Sequence, residues 1–287
     1  MKNYLSLVKF SHTIFALPFA LTGFFIAVGQ QGQGLDWRKL LLVLCCMVFA
    51  RSAAMAFNRY LDRDIDAANP RTKVREIPAG IISPRSALLF VLANCLLFVL
   101  CTWFINPLCF WLSPVALAVV LGYSYTKRFT WLCHLVLGLG LSLAPVGAYL
   151  AVAGHFHPLP IYYGLAVLLW VAGFDVIYAL QDAAFDRAQQ LYSMPSFFGE
   201  KQALRISEWM HLGTAGLMVL AAKTMLSELP QTGWLLWVGT GIFLLLLAYQ
   251  HRLVKPNDLS RVNLAFFTTN GIASLLFGTL AIMDLLT

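Results

Sequence analysis

The chain has 287 residues, of which 60% are hydrophobic and 11% charged, and its formal net charge is +7 at pH 7. Apolar runs near the ~20 residues needed to cross a bilayer recur from end to end, so the composition indicates an integral membrane protein. The basic residues sit in short loops between those runs, which argues against a nucleic-acid-binding surface.

Nine spans are expected in chain order, at 10–29, 39–60, 86–104, 107–125, 131–152, 159–182, 206–224, 232–250 and 262–284. Each should be helical, because hydrocarbon offers the backbone no hydrogen-bonding partner. The runs are too apolar and too long for the alternating strands of a membrane barrel. The first lacks a small-residue cleavage site and reads as a retained helix, not a signal peptide. The six cysteines (Cys45, Cys46, Cys95, Cys101, Cys109, Cys133) lie in or beside spans, form no C-x-x-C pair and read as buried small hydrophobes. With the N-terminus in the cytoplasm, 16 Lys and Arg fall on the cytoplasmic side and three (Arg38, Lys39, Lys223) on the other. The positive-inside rule then predicts N-in and C-out.

The second span carries Arg51 and Asn58 and runs into Asp62 and Asp66. Spacings of 7, 4 and 4 residues put these four within about one-fifth of a helix circumference. Arg51 then lies about two turns deeper than Asn58, and an intramembrane arginine is a functional-site candidate by default. Its alternative role is a structural ion pair with one of these acids or with Asp175. Asp64 points away from the acidic face and reads as a solvated charge. A polar stretch, 61–85, follows with Arg71, Lys73 and Arg75 and with Pro70, Pro78, Gly80 and Pro84, an ordered loop with room for one short helix.

The third and fourth spans are joined so tightly, at 105–107, that they must be antiparallel neighbours. Tyr123 closes the fourth, with Lys127 and Arg128 just beyond. The sixth span repeats the acidic pattern, with Asp175, Tyr178, Asp182 and Asp186 on one stripe, followed by a second loop at 186–205. The repeat of acidic helix end and basic loop predicts a bundle of pseudo-symmetric halves with one cavity between the two acidic ends. Mg²⁺ takes oxygen ligands and is usually held by one or two carboxylates plus substrate phosphate. Two facing acidic helix ends with Arg71, Arg75, Lys127 and Arg128 nearby match a Mg²⁺-bound diphosphate. Lys73 reads as an ordinary loop anchor. A cation-coupled transporter would account for Asp175 and Arg51, but has little use for the basic loop residues.

The strings NRYLDRDID (58–66), NPRTKVREIPAG (69–80), GYSYTKRFTWLCHLVLG (122–138), FDVIYALQDAAFD (174–186) and KFSHTIFALPFA (9–20) resemble the UbiA superfamily of intramembrane aromatic prenyltransferases over nearly the whole chain. The resemblance is strongest to the branch acting on 4-hydroxybenzoate and related hydroxyaryl acids in quinone biosynthesis, ubiquinone or menaquinone. Within that branch, the member acting on 1,4-dihydroxy-6-naphthoate is especially similar. It implies an all-α membrane domain over 1–287, with nine helices around a central cavity closed by two cytoplasmic aspartate-rich loops, in the cell's inner membrane. It implies Asn58, Asp62, Asp66, Asp182 and Asp186 at a Mg²⁺–diphosphate site. Arg75 and Lys127 become diphosphate contacts, and Arg51 and Tyr123 neighbours of the aromatic acceptor. The expected partners are a polyprenyl diphosphate, a hydroxyaryl acid and the lipid bilayer. Haem, a chlorophyllide or a lipid phosphate are the alternative acceptors on this fold. One departure stands out: many relatives have Asn-Asp where this chain has Asn58-Arg59, though the Asn58, Asp62, Asp66 spacing is kept.

Overall fold

A computed structural model describes residues 2–8, 15–32 and 34–287, with side chains described for all of these except residues 2, 3 and 5. Residues 9–14 of the opening string, Lys9 among them, lie outside the described residues. The regular structure of the described residues is helical, apart from one isolated bridge between Lys255 and Asp258. The helices are α1 (Lys2–Leu7), α2 (Leu17–Gln31), α3 (Trp37–Leu61), α4 (Arg63–Ala68), α5 (Pro84–Ile105), α6 (Pro107–Thr126) and α7 (Cys133–Ala153). They continue with α8 (Pro158–Ala179), α9 (Ala183–Ala188), α10 (Met194–Phe198), α11 (Glu200–Glu228), α12 (Trp234–Leu253) and α13 (Asn270–Leu286).

Seven helical segments among the described residues are long and apolar enough to cross a membrane: α3, α5, α6, α7, α8 with its continuation to Ala188, α12, and Leu264–Leu286. The protein is a multi-pass membrane protein. Two of the nine expected spans are not among these seven. The first is described only from Leu17, as a 15-residue helix. The apolar run at 206–224 lies inside the 29-residue α11, where Glu208, His211 and Lys223 within the run dilute its hydropathy. The loop expected at 186–205 is also largely helical, being occupied by α9, α10 and the start of α11.

Sequence signals place the helix starts. Asp36 accepts the backbone N–H groups of Arg38 and Lys39 at the start of α3, Ser83 caps α5 through Ser86, and Asn106 caps α6 through Cys109. Pro84, Pro107 and Pro158 sit in first turns, where no N–H is needed. Helix contacts within the bundle rely on small residues. A Cβ on Gly138 of α7 would stand 2.3 Å from the Leu168 carbonyl oxygen of α8, and one on Gly23 of α2 would stand 2.2 Å from that of Pro145. An aromatic core of Phe19, Trp170, Phe243 and Phe277, fully buried, ties α2, α8, α12 and α13 together, with Phe19 stacked on Phe277 at 5.1 Å.

A wider π-type turn, Leu264–Thr269, precedes α13. Asn270 holds it by donating to the Phe266 carbonyl at 2.8 Å, while its own oxygen accepts from the Trp170 indole at 2.8 Å and from Gln250. Turns of this kind are frequent at functional sites, and this one turns Phe266 and Phe267 into the central cavity.

Candidate active site

Both acidic helix ends bend at their first aspartate. α3 ends at Leu61 and α4 starts at Arg63, with Asp62 between them at φ −88°, ψ 6°. The i→i+4 ladder still crosses the bend, from Asp62 N to the Asn58 carbonyl at 2.9 Å and from Asp66 N to that of Asp62 at 2.7 Å. Asn58, Asp62 and Asp66 therefore stay on one face. In the second motif the chain tightens into a 3₁₀ turn at Leu180–Asp182 before α9.

The two ends open on one cavity of about 970 Å³. Among its lining residues are Arg51, Asn58, Asp62, Asp66, Arg71, Arg75, Tyr123, Lys127, Asp175, Tyr178, Asp182 and Asp186. Arg128 is not in the cavity wall, but its guanidinium reaches Asp62 at 3.0 Å. Every site residue expected from the sequence thus lies in or against one space. Lys73 is exposed, and Asp64 is exposed with only Arg63 beside it at 3.8 Å.

The polar end is a lattice of alternating charges. Asp62, almost fully buried, meets Lys127 at 2.6 Å and Arg128 at 3.0 Å and accepts from the Asn58 amide at 3.0 Å. Asp66 meets Arg75 at 2.6 Å, while its second oxygen is buried with no partner. Asp182 receives a two-pronged contact from Arg71 and the Asn69 amide at 3.2 Å. Arg71 also donates to the Tyr178 hydroxyl at 3.2 Å and lies over its ring at 5.5 Å. Burial alone would lower the Arg71 pKa, but the hydrogen bond and charge of Asp182 raise it above the ordinary guanidinium value. Arg71 thus links the loop after the first motif to the second motif. Asp186 has no cation within salt-bridge distance among the described residues. No three His, Cys, Asp or Glu side chains among the described residues stand close enough to hold a metal ion by themselves.

Deeper in the cavity the chemistry changes. Asp175 does not pair with Arg51. It meets His134 Nδ1 at 2.7 Å, and His134 Nε2 accepts the Met194 backbone N–H at 3.2 Å. With Nε2 accepting, the ring proton sits on Nδ1 and points at Asp175. Arg51 makes no ion pair among the described residues, and its Nε is buried without a partner. Its alternative reading as half of a structural ion pair with Asp175 or the acids does not hold. Phe15, Phe174, Phe266, Phe267 and Tyr178 form an aromatic wall, with Tyr178 and Phe266 4.2 Å apart. A second, apolar cavity of about 360 Å³ shares Arg51, Met55, Tyr123, Leu137 and Leu141 with the first and reaches Cys109, Leu150 and Phe156.

The UbiA prenyltransferase family profile matches residues 16–272. The chain belongs to the UbiA prenyltransferase family. It is a prenyltransferase. A 4-hydroxybenzoate octaprenyltransferase of Aliivibrio fischeri (strain ATCC 700601 / ES114) is 31% identical over 242 residues, covering 84% of this chain and 83% of that protein. One of Tolumonas auensis is 32% identical over 253 residues, with 88% and 86% covered. Among solved structures, the apo UbiA homolog from Aeropyrum pernix K1 superposes with a TM-score of 0.84 at 32% identity, covering 95% of this chain and 98% of that one. A UbiA homolog from Archaeoglobus fulgidus bound to DMAPP and Mg²⁺ shares the fold at a TM-score of 0.78 and 21% identity, over 99% of each chain.

Some lining residues of this UbiA-family chain carried no signal in the spacing. His134 follows a basic loop and has no acid near it in sequence. Asn69 lies inside the NPRTKVREIPAG string, but nothing local marks it as a partner of Asp182. Arg59 entered only as a departure from a pattern, yet it lines the cavity and is 6% exposed.

Proposed function

We propose that the protein transfers a polyprenyl group from a polyprenyl diphosphate to a ring carbon of a hydroxyaryl carboxylic acid, of the 4-hydroxybenzoate or 1,4-dihydroxy-6-naphthoate type, in a Mg²⁺-dependent reaction of quinone biosynthesis. The observation that carries this reading is one cavity with two chemistries. An alternating lattice of Asp62, Asp66 and Asp182 with Lys127, Arg75 and Arg71 forms its mouth, and an unpaired Arg51 stands among apolar walls below.

The donor set suits Mg²⁺. It consists of hard oxygens from Asn58, Asp62, Asp66, Asp182 and Asp186, and one Asp66 oxygen is buried and unsatisfied. Among the described residues no three acids stand close enough to hold an ion by themselves, so substrate phosphate would complete the coordination. When bound, Mg²⁺ would supply Lewis-acid stabilisation of the charge developing on the departing diphosphate.

The chain's own residues account for the remaining steps. Without substrate, the acids and bases neutralise one another. A ligand carrying both cation and diphosphate lets each partner exchange like for like: the acids turn to the metal, and Arg71, Arg75, Lys127 and Arg128 turn to phosphate oxygens. The allylic C–O bond breaks with its electron pair going to the diphosphate. The aromatic wall, Phe174 and Tyr178 with Tyr123 across the cavity, stabilises positive charge on the allylic carbon. The acceptor is placed with its carboxylate on Arg51 and its ring beside Tyr123, and Asp175 borders the same space. The ring carbon forms the new C–C bond and releases its proton to a cavity carboxylate such as Asp182.

We assign the whole of 1–287 to one such domain. In this reading α2, with the residues before it, and α11 complete a set of nine spans, the N-terminus and both aspartate motifs face the cytoplasm, the C-terminus faces the opposite side, and the host is the cell's inner membrane. The test is pyrophosphate release from an allylic diphosphate by purified protein, with and without Mg²⁺ and each acid. Release that ignores both metal and acceptor contradicts the proposal.

A further inference from the structure

Arg59 differs from the other cations at the mouth of the cavity. Arg71, Arg75, Lys127 and Arg128 each hold a carboxylate and are about one-fifth to one-third exposed. Arg59 is 6% exposed, lines the cavity, has a buried Nε with no hydrogen-bond partner, and makes no ion pair among the described residues. The ionisable groups within its electrostatic reach are Arg75, Asp66, Tyr123 and Glu76. None of them stands within ion-pair distance of it: Arg75 is a like charge, Asp66 is bound to Arg75, and Asp66 and Glu76 act on Arg59 only from farther away.

A buried guanidinium with no ion-pair contact and no partner for its Nε is costly, because carboxylates beyond contact distance offset only part of the desolvation penalty. Such a group is retained where an anion arrives from outside. Arg59 follows Asn58 and lies three residues before Asp62, at the level of the acidic lattice and about two turns above Arg51. We infer that Arg59 is an oxyanion-binding residue whose ligand is the diphosphate of the prenyl donor. Its planar fork suits two phosphate oxygens at once. It binds without first breaking a protein ion pair, so it is ready for the ligand before the other four bases have exchanged partners. This rests on the diphosphate-transfer reading above and adds to it a contact that the acidic motif does not contain.

The test uses the full chain in detergent and no turnover. Thermal unfolding of the wild type, Arg59→Gln, Arg59→Met and Lys73→Ala is followed against inorganic pyrophosphate with Mg²⁺, and separately against 4-hydroxybenzoate. The expected result is that Arg59→Gln needs roughly 10- to 100-fold more pyrophosphate for the same shift, the loss of one charge-assisted contact. Its response to hydroxybenzoate should be unchanged, and Lys73→Ala should match the wild type. Arg59→Met, unliganded, should melt no lower than the wild type, because it removes a buried charge that has no ion-pair contact. If Arg59→Gln does not purify, Arg59→Lys carries the same titration, with a smaller loss of pyrophosphate response. Intact pyrophosphate binding in the Arg59 variants, or a loss confined to hydroxybenzoate, overturns the inference and leaves the proposed function standing. A wild type that ignores pyrophosphate would instead overturn the diphosphate reading itself.

Discussion

Replacing Arg51 with lysine keeps the charge and removes the planar fork. The consequence follows from where Arg51 stands. It lines both the large cavity and the apolar one beside it, and among the described residues its Nε has no partner and no carboxylate pairs with it. Asn58, the first polar residue of the motif, is seven residues further along the continuous α3, about 10 Å at 1.5 Å per residue. Arg51 is therefore too deep to join the diphosphate site, but well placed for a carboxylate on an acceptor whose ring meets the allylic carbon. A hydrogen bond to a charged group contributes about 1.5–3 kcal/mol. At 1.4 kcal/mol per factor of ten, Arg51→Lys should raise the acceptor KM roughly 10- to 100-fold while the donor KM moves little. The assay is steady-state product formation with each substrate varied in turn, repeated with a phenol that lacks the carboxylate. That phenol should be poor for the wild type and little changed by the substitution. If both KM values rise together, or if the phenol serves the wild type as well as the acid, the acceptor-carboxylate role of Arg51 is refuted.

Other expected outcomes follow from the same geometry. Asp62→Ala and Asp182→Ala should each abolish turnover while the protein still inserts and purifies, measured as pyrophosphate release at saturating Mg²⁺; near wild-type activity in either contradicts a two-sided metal site. Gly138→Ala drives a Cβ to 2.3 Å from the Leu168 carbonyl, and should cost about 1–3 kcal/mol by forcing α7 from α8, read as a lowered melting temperature. On a cysteine-free background, single cysteines at 67–80 and 188–200 should label from the cytoplasmic side and Gly154→Cys should not. Cytoplasmic labelling of Gly154→Cys would reverse the orientation.

Much of the site was legible because it is written in local periodicity. Asn58, Asp62 and Asp66 recur every four residues, so they share a face wherever the helix goes, and the bend at Asp62 keeps the i→i+4 bonds that preserve it. Tyr178, Asp182 and Asp186 recur at the same spacing and all three line the cavity, although the ladder tightens to i→i+3 bonds at Leu180–Asp182. What the sequence could not give is which distant groups close the lattice. His134 meets Asp175 across 41 residues and Arg71 meets Asp182 across 111, contacts fixed by helix packing and loop path. The span count was read from apolar length alone. α11 falls outside the seven candidate spans because polar residues such as Glu208, His211 and Lys223 interrupt its apolar run. The π-type turn at Leu264–Thr269 has no periodic signature, since its cause is Asn270 held by Trp170 and Gln250 from other helices.

The most direct test of the account is mass spectrometry of the products formed when purified protein, with Mg²⁺, is offered a mixed pool of polyprenyl diphosphates together with 4-hydroxybenzoate and 1,4-dihydroxy-6-naphthoate. The account predicts a ring-prenylated acid that retains its carboxylate, formed with stoichiometric pyrophosphate and lost when Mg²⁺ is chelated. Intact acids beside intact diphosphates, or a prenylated product from a non-acidic acceptor alone, would contradict it.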